Sequence, residues 1–300
     1  MQKSWKNKIV FKVKQEKLVT YPKHFGYTND CAEELLRRGV PVDHIICKRY
    51  TEMDIPENIT AKQMYDELMV AMAGKGHCYL LLDEIQKITG WERAINSLLE
   101  GADADIYVTG SNSKLMSSEI STYLTGRYVS IPVYTLSFKE YLDFKADSTL
   151  SRRELLEEYI RFGGFPIVAL SEYDEQSAYQ IVNGIYHTVV SRDIVKRHRI
   201  NKQDLFDRVV KYIIENMGKT FSANSISTFL KSEHRKVSVE SIYNYLRWLE
   251  QAFIIYPCER YDLQGKSILK TQEKYYLADV SLKYALLGYN RKMLDGAMEN

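Results

Sequence analysis

Cys78-Tyr79-Leu80-Leu81-Leu82-Asp83-Glu84-Ile85-Gln86 is a continuous apolar run that ends on two adjacent acids. A run of this length without polar alternation predicts a strand over 78–82 buried on both faces, as in a parallel sheet. Short apolar runs at 17–20, 45–47, 105–109 and 128–133 read as its companions. Amphipathic segments lie between them: 29–38, ending at Gly39; a helix opened by a Thr60–Gln63 capping box; and one capped by Thr89 and Glu92, with Trp91, Ala94, Ile95, Leu98 and Leu99 on one stripe. Strand and helix in alternation predict right-handed crossovers and a mainly parallel α/β sheet over residues 1–150.

Beyond residue 150 the pattern turns helical. An amphipathic helix over 152–162 stops at Gly163-Gly164-Phe165-Pro166, and a long helical segment over 174–197 follows, so 151–200 reads as a helical lid or linker. Helices over 204–217, 222–230 and 238–253, then strands at 253–256 and 274–277, have the order of a winged helix, placing that domain at 201–300.

The 300 residues carry 41 Lys+Arg against 39 Asp+Glu, so global charge selects no polyanionic partner. Locally, 190–250 holds twelve basic residues against seven acids, which makes it the candidate nucleic-acid surface. Winged helices also serve protein contacts, and charges commonly just solvate a helix face. No apolar run has the roughly 20 residues a membrane helix needs, and the Lys-rich first 23 residues lack a signal-peptide core; a cytoplasmic protein with no membrane partner is the expectation. Cys31, Cys47, Cys78 and Cys258 are too far apart in sequence for a zinc or disulfide framework.

An apolar strand closing on Asp-Glu is the Walker B pattern. At the carboxyl end of a parallel strand, Asp83 would face the ligand crevice and hold the water shell of Mg²⁺, and Glu84 would orient and deprotonate an attacking water. The blander reading is a pair of acids capping the next turn. Ser111 and Asn112, ending the 105–109 strand, are candidates to sense a γ-phosphate or position that water. Arg127, just before the 128–133 strand, is the candidate to neutralise phosphate, in cis or from a neighbouring subunit.

These stretches, together with Trp91-Glu92, Val108–Ser113, Leu124–Tyr128, Leu136–Tyr141, Phe162–Pro166, Ser191–Ile194 and Lys274–Asp279, stand in an order that resembles a prokaryotic family of AAA-type P-loop ATPases with a conserved C-terminal domain of unknown function. The resemblance covers about residues 33–300. It implies ATP and Mg²⁺ binding, ATP hydrolysis, a winged helix and a restriction-endonuclease-like part, the last missing here so that the chain reads as truncated at its C-terminal end. It also leaves assembly into an oligomer open.

The phosphate loop departs from that family. Its G-x-x-x-x-G-K-[ST] register falls on Tyr21–Thr28, where Gly26 and Thr28 match, Thr28 in the position of a metal ligand. Tyr21 replaces the first glycine and Tyr27 the lysine, and Lys23 is the remaining cation inside the loop. A tyrosine at positive φ costs about 1–3 kcal/mol and fills the space that backbone N–H groups need to wrap a phosphate. Gly218-Lys219-Thr220 and Gly265-Lys266-Ser267 lack the upstream glycine. Two functions follow: an ATPase homologue with weak or lost hydrolysis, or a non-catalytic binding protein on an ATPase scaffold. A first 30 residues altered by an upstream mutation or frame change would give the same pattern.

Overall fold

A computed structural model describes residues 9–14, 27–51, 55–56, 58–111, 124, 127–170, 173–258 and 273–288. Residues 1–133 and 134–300 form two compact units.

The first unit is built on five parallel strands: β1 (Ile9–Lys14), β2 (Ile45–Arg49), β3 (Cys78–Asp83), β4 (Ala104–Ser111) and β5 (Tyr128–Val133), in the order β2-β3-β4-β1-β5. Helices α1 (Tyr27–Arg37), α2 (Ala61–Met72) and α3 (Trp91–Gly101) make the crossovers. The Thr60–Gln63 capping box opens α2 as expected, whereas α3 is capped by Gly90 in the left-handed region and not by Thr89. Leu80, Leu82, Ile106 and Val108 point to one face, where Met64, Leu68, Ile95 and Leu98 cover them. Each such side chain, fully buried, contributes about 1.5–3 kcal/mol. Strand alternation sends Leu81, Asp83 and Thr109 to the other face, the one α1 packs on.

The expected strand at 17–20 lies outside the described residues. The inner strand that comes first in the chain is instead Ile9–Lys14, paired on both sides, with β4 and β5.

The second unit is mainly helical: α4 (Phe138–Phe144), α5 (Arg152–Phe162), α6 (Glu175–Val189) running on through a π-helical stretch at Val190–Val195, α7 (Gln203–Glu215), α8 (Ala223–Ser232), α9 (Val239–Gln251) and α10 (Ser281–Leu287). Strands β6 (Thr220–Phe221), β7 (Ile255–Cys258) and β8 (Glu273–Leu277) form an antiparallel sheet in the order β6-β8-β7. Gly218-Lys219-Thr220 leads into β6 and not into a helix, so it has no phosphate-loop geometry. One apolar core runs through this unit from Phe165 to Leu282.

The Gly163-Gly164 turn is fixed by a buried acid. Asp279 accepts from the Gly164 N–H at 2.9 Å, the Ser281 N–H at 3.0 Å and the Ser281 hydroxyl at 2.5 Å. Gly163 sits at φ 73°, and a Cβ there would overlap the Asp279 carboxylate. Burial pushes the Asp279 pKa up, and the four donors, Thr135 included, pull against it.

Candidate functional site

β3 delivers Asp83 to the carboxyl edge of the sheet because its apolar residues are gripped by both neighbouring strands up to that point. Arg49 on β2 is the register partner of Asp83, and the Tyr50 N–H donates to the Asp83 carbonyl at 3.0 Å. The buried Asp83 side chain is held at both oxygens. Oδ1 accepts from the Thr109 hydroxyl, itself 1% exposed, and Oδ2 accepts from Arg49 Nε at 3.3 Å. Thr109 and Arg49 were not among the residues singled out in the sequence. Thr109 carried a weak signal, being the polar residue that follows the apolar Ile106-Tyr107-Val108; Arg49 carried none, because the 45–47 run stops short of it.

Glu84 follows in the left-handed region, φ 56° and ψ 36°. For a residue with a Cβ this conformation costs about 1–2 kcal/mol, and here buried Ile85 and Ile88 on the next turn hold it. Gln86 Nε2 donates to Glu84 Oε2 at 2.5 Å. Glu84 is thus a carboxylate aimed by strain and by an amide, directly beside Asp83. The Tyr50 phenol packs in the apolar core with Met64 and Leu68, has no hydrogen-bond partner among the described residues, and is pushed well above the ordinary tyrosine pKa by burial and then by the charge of Glu67.

Ser111 ends β4 level with Lys14 of β1, so the carboxyl ends of β1, β3 and β4 meet at one edge. Thr28 lies in the first turn of α1. Gly26, Lys23 and Asn112 lie outside the described residues.

Arg127 is not brought to this edge. It immediately precedes β5, whose Tyr128 is level with Ile9, Ile106 and Leu80, so it lies at the amino edge, about 13 Å from Asp83 along the strand direction. There Nη1 donates to Asn96 Oδ1 and Glu100 Oε1, both at 3.0 Å, and the pairing holds the Glu100 pKa low. A cavity of about 730 Å³ opens where α2 and α3 begin, lined by Thr60, Lys62, Tyr65, Thr89 and Arg93; Asp83 and Glu84 do not line it.

A five-stranded parallel sheet with an acid pair closing the buried strand defines a nucleotide-hydrolase-type α/β domain. Residues 37–142 match the model of an AAA domain, and residues 153–292 that of a domain of unknown function (DUF8612). An uncharacterized protein of Haemophilus influenzae is 34% identical over 271 residues, 89% of this chain and 67% of that one. One of Methanocaldococcus jannaschii is 33% identical over 240 residues, 76% of this chain and 53% of its own length, so this chain spans about half of it. A solved Walker-type ATPase of Pyrococcus abyssi shares the fold: TM-score 0.54 at 13% identity, over 93% of this chain and 90% of that one. The chain belongs to the AAA-type P-loop ATPase family.

Proposed function

We propose that this chain is an AAA-type ATPase homologue that keeps the acidic half of the nucleotide site and hydrolyses ATP weakly or not at all. The observation that carries the reading is that Tyr27, not lysine, stands directly before Thr28 at the α1 end of the stretch that follows β1. In a phosphate loop the lysine stands at the start of that helix, donating to the β- and γ-phosphates. Tyr27 offers no ammonium, and the twelve residues between β1 and α1 contain one glycine, Gly26, where two are needed.

The family's Mg²⁺ and ATP fit these residues in part. Asp83 is the single carboxylate such a metal takes, with Thr28 as its second family ligand, and Glu84 is the family's base. Against this, Asp83 already carries Arg49 on Oδ2 and Thr109 on Oδ1. On the phosphate side the sequence offers Tyr21 and Tyr27 where the motif has a glycine and the lysine. The residues present therefore do not fit a bound triphosphate. Arg127, paired at the amino edge, would meet phosphate only on another copy of the chain, which requires an oligomer.

A titration with a fluorescent ATP analogue tests this on the wild type and on the Tyr21→Gly, Tyr27→Lys double variant. Binding by the double variant alone supports the reading; equal, tight, Mg²⁺-dependent binding by the wild type contradicts it.

A second reading concerns residues 203–277. Three helices with the β6-β8-β7 sheet support a winged helix serving as a binding module on this scaffold. Arg235 is engaged with Asp204 at 2.7 Å and Arg208 with Glu233 at 3.1 Å, while Lys236 and Arg247 are exposed and have no ion-pair partner among the described residues. Unpaired cations on one motif favour a phosphate backbone as partner.

A further inference from the structure

We propose that Arg49 occupies the cation position of Asp83, so that a divalent metal binds this carboxylate only when the guanidinium leaves. The inference deepens the reading above and rests on it for placing a metal at Asp83.

The register makes the pairing a property of the sheet. Arg49 and Asp83 are partners across β2 and β3, one residue from the last hydrogen bond that joins these strands' ends, Tyr50 N–H to Asp83 carbonyl. A carboxylate as buried as Asp83 needs a countercharge or its ionised form is expensive. Arg49 supplies a permanent one from the neighbouring strand, and Thr109 satisfies the other oxygen. Each oxygen that a metal or its water shell would use therefore has a partner within the protein.

The two cations compete. A metal near Oδ2 would lie within a few ångströms of the guanidinium, and two positive charges at that separation repel strongly away from bulk water. Asp83 is fixed in its place, whereas the Arg49 side chain is 42% exposed and has solvent to move into. Arg49 is thus the partner that yields. The same residue then sets how much metal the site takes: a strong ion pair keeps it out, and removal of the guanidinium admits it.

The probe is Mn²⁺ alone, titrated into the full chain without nucleotide and followed by the EPR signal of the free ion. Arg49→Met, which keeps the length and removes the charge, is expected to bind Mn²⁺ roughly three- to tenfold more tightly than the wild type. Asp83→Asn in the Arg49→Met background is expected to abolish that gain. Equal or weaker binding by Arg49→Met overturns the proposal, as does a gain that survives Asp83→Asn. If Arg49→Met does not fold, Arg49→Gln is read in its place: it also removes the charge, so tighter Mn²⁺ binding supports the proposal and unchanged binding overturns it. Nucleotide is absent throughout, so a wild type that proved to bind and hydrolyse ATP would refute the reading above and leave this comparison intact.

Discussion

Arg49 and Asp83 face each other across two parallel strands, with the guanidinium Nε 3.3 Å from Oδ2, and Thr109 closes the other side of the same carboxylate. The Asp83 carboxylate is therefore built into the sheet across three strands, β2, β3 and β4. Removing the hydroxyl tests this directly. Thr109→Val leaves a buried carboxylate oxygen without its donor and is expected to cost about 1–3 kcal/mol in a urea denaturation, with Thr109→Ser recovering most of it.

The buried strand was legible in the sequence because Cys78–Leu82 is continuously apolar, and it places Asp83 at the strand end. β1 was not. Ile9-Val-Phe-Lys-Val-Lys14 ends on alternating lysines that look solvent-facing, and the Leu18-Val19 pair stands directly before the Tyr21–Thr28 register, which favoured 17–20 as the strand. Only pairing on both sides, to β4 and β5, reveals it as an inner strand of the sheet. Arg49 was hidden for a related reason: it becomes part of β2 through its register with Asp83, a long-range relation with no local pattern. Arg127 is the reverse case: its place before a strand was legible, but not the edge of the sheet on which it lies. In a parallel sheet a residue just before a strand lies at the amino edge, and ligands bind at the carboxyl edge. Polarity alone separates Arg127 from Asp83.

Gly163 and Gly288 both have positive φ, 73° and 84°, but differ in surroundings. A Cβ at Gly288 meets nothing within 4 Å, whereas at Gly163 it would overlap the Asp279 carboxylate and the Ser281 hydroxyl. Gly288→Ala is expected to cost about 1 kcal/mol from conformation alone. Gly163→Ala is expected to cost well over 2 kcal/mol or to prevent folding, because the neighbour it strikes is a fully buried, hydrogen-bonded acid. Thermal melts of the two variants give the comparison.

Asp279 gives the second unit a pH dependence of defined sign. Its folded pKa lies above the unfolded value, so the neutral carboxyl is the form folding favours. Its stabilising contribution is complete below the unfolded pKa, near 3.9, and is lost as pH rises through the folded pKa. Denaturation midpoints for the wild type and Asp279→Asn are expected to diverge with rising pH above about 4, with the wild type falling relative to the variant. A difference constant across that range would contradict the assignment.

The winged-helix reading makes a quantitative claim on salt. Lys236→Ala and Arg247→Ala are each expected to lower the slope of log affinity for duplex DNA against log salt by about one. Arg235→Ala, whose guanidinium is already paired with Asp204, is expected to change it less. Fluorescence anisotropy over a salt series reads all three, and a wild type with no salt-dependent binding removes DNA as the partner.

The most direct test of the central claim is phosphate release from ATP with Mg²⁺, compared between the wild type and Glu84→Gln. No Glu84-dependent turnover is expected: the two proteins release phosphate at the same background rate, because Tyr27 replaces the phosphate-binding lysine of the motif. Sustained Mg²⁺-dependent turnover by the wild type, at about 1 s⁻¹ or more and abolished by Glu84→Gln, would contradict it.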